Sequence, residues 1–310
     1  MAIDVCINVL FKPLQTALAL FSLLRHSGRH IDRIYFHEEN KNPPDMHAPL
    51  KRLLRDQLEC TTLPQYINWH EPVDPSRLGD TAYRHSIRYQ WGWERTDKDF
   101  LLLIHNDVQF HADIVPPMLA ALTGTGEGGD EGAIAVGDIG NCGVCPAHHA
   151  AICTKETYWD VRPSHAYLMR LYDRMPPGKN VHPYNEDFPE AFRAAPWPLP
   201  HCRVNEWCML IDMRAARAAT APLGPAMPLG AMASCGRHIL DTGARWFRDV
   251  SLMGHRCRHF PLAGYMTHRF GHKAMLDEDR YQADELAALK ALKKDFRNAW
   301  FGVTPTGPSA

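Results

Sequence analysis

Several short groupings in this chain have residue types suited to chemistry. The run Phe100-Leu101-Leu102-Leu103-Ile104 leads directly into His105-Asn106-Asp107. Five consecutive apolar residues predict a strand buried on both faces, and ligands of open α/β sheets bind beyond the carboxyl ends of such strands. A second grouping reads Gly140-Asn141-Cys142-Gly143-Val144-Cys145-Pro146-Ala147-His148-His149, with Cys153 close behind. A Cys-x-x-Cys turn presents two thiolates to one tetrahedral metal. Cys153 offers a third ligand, and Cys202, Cys208, His148 or His149 a fourth. A structural Zn2+ there would contribute folding energy directly, and an iron–sulfur cluster would draw on the same thiols. The plain alternative is ordinary buried cysteines, since free Cys is among the most buried residue types. No thioredoxin-like strand–helix context surrounds the motif, which argues against a redox role. A third grouping is Asn205-Glu206-Trp207. A carboxylate desolvated beside an indole is expected to have a raised pKa, which suits a base or an acceptor ligand.

The elements that must position these groups follow from periodicity. Residues 4–9 form a β-branched run, 14–26 have helical spacing stopped at Gly28, and 31–37 read as a second strand followed by a polar cluster. Strand, helix, strand is the order of a parallel βαβ unit. Helical segments are expected over 50–58, 81–95 and 114–122. A Gly-rich acidic loop follows over 123–132, and a strand resumes at 133–136. Residues 137–208 read as a Cys-, Pro- and aromatic-rich insert, with a further apolar segment over 204–213 and a loop over 222–236. A helix over 240–253 stops at Gly254, a strand covers 257–261, and a C-terminal helix covers 277–300 with Leu286, Leu289, Leu292 and Phe296 on one side. The expected fold is α/β, with a mostly parallel sheet flanked by helices over 1–302 and a flexible tail over 303–310. The aromatics Trp91, Trp93, Tyr158, Tyr167, Tyr172, Tyr184, Trp197 and Trp207 either shape a sugar-stacking acceptor site or fill the core under the insert.

Bulk properties exclude some partners. The chain has 310 residues, of which 45% are hydrophobic, enough for a sizeable core. A net charge of −1 and a pI near 7.0 offer no basic excess to nucleic acid or anionic lipid. The first residues lack a basic stretch and an uninterrupted apolar run, unlike a signal peptide. The longest apolar stretches, 14–24 and 100–104, are too short and interrupted to cross a bilayer. A cytoplasmic location is expected, with the nine cysteines as thiols or metal ligands rather than disulfides.

Three segments in order resemble the GT-A glycosyltransferase (nucleotide-diphospho-sugar transferase) fold, and most closely its inverting family 2. They are the βαβ unit 3–42, the strand ending His105-Asn106-Asp107-Val108, and 240–261 followed by Thr267-His268-Arg269-Phe270-Gly271-His272. The resemblance implies a nucleotide-sugar donor, a divalent cation and an acceptor hydroxyl on a glycan, lipid-linked glycan, protein or small molecule. Asp107 then corresponds to the metal carboxylate of the family's Asp-x-Asp motif, with Asn106 beside it. His105 replaces the first acid, and an imidazole there suits Mn2+ better than Mg2+. His268, or His272 four residues on, corresponds to a late second ligand. By position, Asn8, Phe11, Glu38 and Glu39 would face the nucleoside. Arg84 or Arg88 would either pair with a phosphate or form a surface salt bridge. Asp241 is the positional match for the general base, with Asp249 and Glu206 as alternatives. Two other readings compete. A nucleotidyltransferase would need a Gly-rich basic loop, which Val9-Leu10-Phe11-Lys12-Pro13 lacks. A zinc-stabilised, non-catalytic sugar- or protein-binding module would need no base. Oligomeric state is left open.

Overall fold

The strands are β1 (Ile3–Val9), β2 (Ile31–Glu38), β3 (Leu58–Thr62), β4 (Phe100–Ile104), β5 (Val108–Phe110), β6 (Ala135–Gly140), β7 (Arg203–Asp212), β8 (Ala233–Cys235), β9 (His238–Leu240), β10 (Cys257–His259) and β11 (Met266–His268). They are taken from a computed structural model, which describes residues 1–65, 67, 71–125, 132–179, 190–236, 238–268 and 277–301. His272, Tyr184, the 303–310 tail and residues 126–131 of the acidic loop lie outside the described residues.

Seven strands form the central sheet in the order β10-β6-β7-β4-β1-β2-β3. All run parallel except β7, which is antiparallel to both β4 and β6. The expected mostly parallel α/β sheet is therefore present. β4 is buried on both faces, as five apolar residues in a row require. Leu101 and Leu103 join one core with Cys6 and Met209, while Phe100, Leu102 and Ile104 join the other with Ile7 and Leu210. Each such side chain contributes about 1.5–3 kcal/mol by burial. From β1 the chain steps through β2 and β3 to one side, then returns to place β4 on the other. This is the topological switch whose carboxyl edge opens a crevice.

The helix α1 (Pro13–Ser27) packs Leu18, Leu20 and Leu23 under the sheet, against Ala288 and Leu292 of the C-terminal helix Glu278–Asp295. Pro13 opens α1 with its φ already helical. No side chain from the preceding residue caps the helix. Glu285 does so from a distance, its carboxylate accepting from Leu14 N at 2.9 Å and Gln15 N at 3.1 Å.

Several boundaries differ from expectation. The helix expected over 50–58 is short (Ala48–Leu53), and its end is the edge strand β3, drawn in by pairing with β2. The helix expected over 81–95 is two helices, Thr81–His85 and Gln90–Arg95, broken where Tyr89 takes φ 65°. The helix expected over 240–253 begins only at Ala244, because Gly243 at φ 81° precedes it and residue 240 belongs to the β8–β9 hairpin. That hairpin also takes the end of the 222–236 loop. The 137–208 segment begins within β6 and ends within β7, and its Tyr158, Tyr172 and Trp197 pack in the same core as Leu101 and Trp93. In the C-terminal helix the buried face is Asp284, Glu285, Ala288 and Leu292, and Leu286 is exposed. Glu285 has to face the start of α1, which turns Leu286 outward. Among the described residues, no helix is long and apolar enough to cross a membrane.

Removing this remote cap should matter more than removing a larger apolar neighbour. Glu285→Ala is expected to lower unfolding free energy by about 1–2 kcal/mol, while Leu286→Ala stays within about 0.5 kcal/mol of the parent. Urea denaturation of both variants measures the difference.

Candidate functional site

Asp107 stands at the switch, in the turn between β4 and β5. Its side chain is 4% exposed. Burying an ionised carboxylate is costly unless charged partners meet it, and three separate elements supply them. From the loop after β1, Lys12 Nζ donates to Asp107 Oδ2 at 2.7 Å. From β11, His268 Nε2 lies 3.1 Å from Oδ1. β5 and β11 pair antiparallel with His268 opposite Val108, which delivers the imidazole beside Asp107. From the end of β4, His105 Nδ1 lies 3.7 Å from the same Oδ1. Burial alone would raise the Asp107 carboxyl. The His268 hydrogen bond and the positive charge of Lys12 and His105 outweigh burial and hold it well below the ordinary carboxylate range.

The second nitrogen of His105, Nε2, lies 3.4 Å from Glu206 Oε1. A carboxylate behind an imidazole fixes its tautomer and orientation, so Glu206 leaves Nδ1 facing the site. The raised pKa expected for Glu206 beside Trp207 is reversed. Burial pushes it up, but Arg203, 3.5 Å away, and His105 pull it down to about 2. An ionised carboxylate engaged on both sides orients its neighbours and is not poised as a base.

Among the described residues, His105, Asp107 and His268 form the only set of three His, Cys, Asp or Glu ligand atoms within 4.8 Å of one another. They border a cleft of about 850 Å3. Of the residues singled out by sequence, the cleft wall also includes Asn8, Glu39, Arg88, Asn106, Cys142, Glu206, Trp207 and Asp241. Arg88 Nε donates to Glu39 Oε1 at 3.0 Å, and Asn8 Nδ2 donates to the same oxygen at 2.8 Å. Arg84 instead pairs with Glu94, away from the cleft. Asp241 pairs with Arg203 at 2.7 Å and is 57% exposed, so an incoming group can reach it. Asn106 holds the 10–12 loop through contacts to Leu10 O and Phe11 O at 3.4 Å each.

Other expected members are elsewhere. Phe11 is outside the cleft wall and serves through its backbone, donating to Asn42 Oδ1 at 2.8 Å. Glu38 is bound by His47 at 3.0 Å and Lys51 at 2.5 Å. Asp249 accepts from Arg245 and from Met227 N. Cys208 cannot complete a thiol centre with Cys145 and Cys153. Cys145, Cys153 and Cys202 belong to one face of the sheet and Cys208 to the other, because strand alternation turns it toward Leu210 and Ile104. Cys145 and Cys202 hydrogen-bond to each other, which lowers the Cys145 thiol and raises that of Cys202.

Sequence reasoning missed Lys12, Asp138, Lys155, Arg203 and Asn205 in the cleft wall. Lys155 Nζ lies 2.5 Å from Asp138 Oδ1, and Asn205 Nδ2 donates to Asp138 Oδ2 at 2.9 Å. Gly140 permits this, since a Cβ there would fall 2.4 Å from Asn205 Nδ2. The signal for Lys12 was Pro13: a helix opening straight after a buried strand aims the preceding residue into the crevice.

No family model matches the chain, and no curated protein matches its sequence. Among solved structures it is similar to residues 1–349 of S. aureus TarS in complex with UDP-GlcNAc. That match has TM-score 0.30 and 10% identity, over 44% of this chain and 34% of that one. It is also similar to GalNAc-T7 with UDP, GalNAc and Mn2+, at TM-score 0.26 and 10% identity, over 38% of this chain and 20% of that one. The matched part spans about a third of the first structure's length and a fifth of the second's.

Asp107→Asn leaves Lys12 buried without its counter-charge and is expected to cost about 3–5 kcal/mol. The double variant with Lys12→Met should recover much of that loss. A carboxyl held low in the folded state contributes stability above its unfolded pKa of about 3.9 and loses it as pH falls. The stability gap between parent and Asp107→Asn should therefore shrink below about pH 4, as read by denaturation at stepped pH.

Proposed function

We propose that this chain is a GT-A-type glycosyltransferase, transferring a sugar with inversion from a nucleoside-diphosphate donor to an acceptor hydroxyl, assisted by a divalent cation. The observation that carries the reading is the convergence of His105, Asp107 and His268 at the carboxyl edge of the β1/β4 switch, on the wall of a cleft large enough for such a donor. Two imidazoles beside one carboxylate are softer ligands than Mg2+ prefers and are better tolerated by Mn2+. When bound, the cation would offset the charge that grows on the diphosphate leaving group.

The chain's own groups divide the remaining work. Lys12 and Arg88 bring positive charge to the phosphate side. Asn8 Oδ1 and Trp207 Nε1, both on the cleft wall, are buried without a hydrogen-bond partner. Trp207 also meets the His268 ring edge-on, at 4.2 Å between centroids. Asp241 takes the acceptor proton, and Glu206 holds His105.

Calorimetry with UDP, GDP and dTDP, each with and without Mn2+, tests the donor site. One diphosphate should bind in a Mn2+-dependent way, and Asp107→Ala and His268→Ala should weaken it by roughly tenfold or more. Binding of none by the parent sinks the transferase reading and leaves a non-catalytic module. Asp241→Asn should retain donor binding and reduce turnover, followed as diphosphate release from the matching nucleotide sugar, by about 10²–10⁴-fold. Unchanged turnover removes Asp241 as the base.

A further inference from the structure

Lys12 does more than line the cleft. Its ammonium, with a side chain 7% exposed, takes Asp107 Oδ2, while Oδ1 faces both histidines. A cation arriving at the three ligands meets a carboxylate already neutralised, with a like charge next to it. In a buried site that repulsion is screened far less than in water.

The backbone cannot relieve it. Phe11 and Lys12 both take left-handed conformations, at φ 52° and 56°, which side chains rarely adopt. Side chains from two distant segments and from α1 itself hold them there. Phe11 N donates to Asn42, Lys12 N donates to Tyr281 Oη at 3.2 Å, and Lys12 O accepts from Thr16 Oγ1 at 2.7 Å. Glu285 fixes the α1 amides just beyond. Only the four-carbon side chain of Lys12 is left to move, and an ammonium carries three donors on a flexible stem.

We propose that Lys12 is an exchangeable counter-cation. It occupies Asp107 until a diphosphate enters the cleft and draws the ammonium onto its own oxygens, so that cation and diphosphate bind as a coupled pair. This rests on the donor reading above. It assigns Lys12 a role as diphosphate ligand and as the element that sets metal affinity. Coupling of this kind is reciprocal: the diphosphate raises the affinity for the cation by the same factor that the cation raises affinity for the diphosphate.

The test is calorimetric titration of Mn2+ into the full chain, alone and with saturating diphosphate, for the parent, Lys12→Met and Lys12→Gln. Lys12→Gln keeps a hydrogen-bond donor to Asp107 in case Lys12→Met fails to fold. The parent should bind Mn2+ weakly alone and about tenfold or more tightly with the diphosphate. In either folded variant, Mn2+ alone should bind about tenfold more tightly than to the parent, and the enhancement should fall to about threefold or less. Equal Mn2+ affinity of parent and variant in the absence of nucleotide overturns the proposal, whether or not a diphosphate binds. A gain in Mn2+ affinity with no diphosphate bound by the parent sinks the donor reading and overturns the coupling with it. An undiminished enhancement in a variant that still binds the diphosphate overturns the proposal and reduces Lys12 to a structural ion pair.

Discussion

A single buried carboxylate organises this molecule. Asp107 lies where β1 and β4 part company, with its side chain 4% exposed, and a charge so placed is tolerable only with close and well-oriented partners. Each partner is held by a different part of the fold. Lys12 depends on a strained loop braced by the C-terminal helix. His268 depends on the short β5–β11 ladder. His105 depends on Glu206, which reaches the site because β7 runs against its neighbours and so presents its first residues, not its last, at the carboxyl edge of the sheet. The one antiparallel strand is thus what lets the start of β7 contribute side chains to the crevice.

That dependence explains which features were legible in the sequence. The strand at 100–104 and the βαβ unit before it are local patterns, and each folds close to its expected bounds. Asp107 could be singled out because it follows an apolar run, and His268 only through the resemblance of 267–272 to the late histidine segment of the GT-A family. Lys12 could not be ranked on the same basis, because its partner is 95 residues away, its backbone amide is held by Tyr281 and the next amides by Glu285, farther still. Glu206 shows the same limit from the other side. A neighbouring indole suggests desolvation, and desolvation is real, but its effect is overridden by Arg203 and by His105 from β4. Cys208 was grouped with Cys142, Cys145 and Cys153 by spacing and residue type. Strand alternation sends it to the opposite core.

The charges of the cleft wall are arranged as pairs. Lys12 meets Asp107, Arg88 meets Glu39, Lys155 meets Asp138 and Arg203 meets Asp241. A wall of this kind differs from the bare basic pocket that attracts any anion. A free phosphate gains a lysine only by leaving a carboxylate unpaired, and a free cation gains a carboxylate only by displacing an ammonium. In a partly buried site each of those exchanges costs about as much as it returns. A ligand that brings a diphosphate and a divalent cation together supplies a new partner to both halves of the Lys12–Asp107 pair at once. Under the proposed exchange of Lys12, the pairing would act as a selectivity device: it would discriminate against either ion alone and in favour of the complex of the two, with no contact dedicated to rejecting anything.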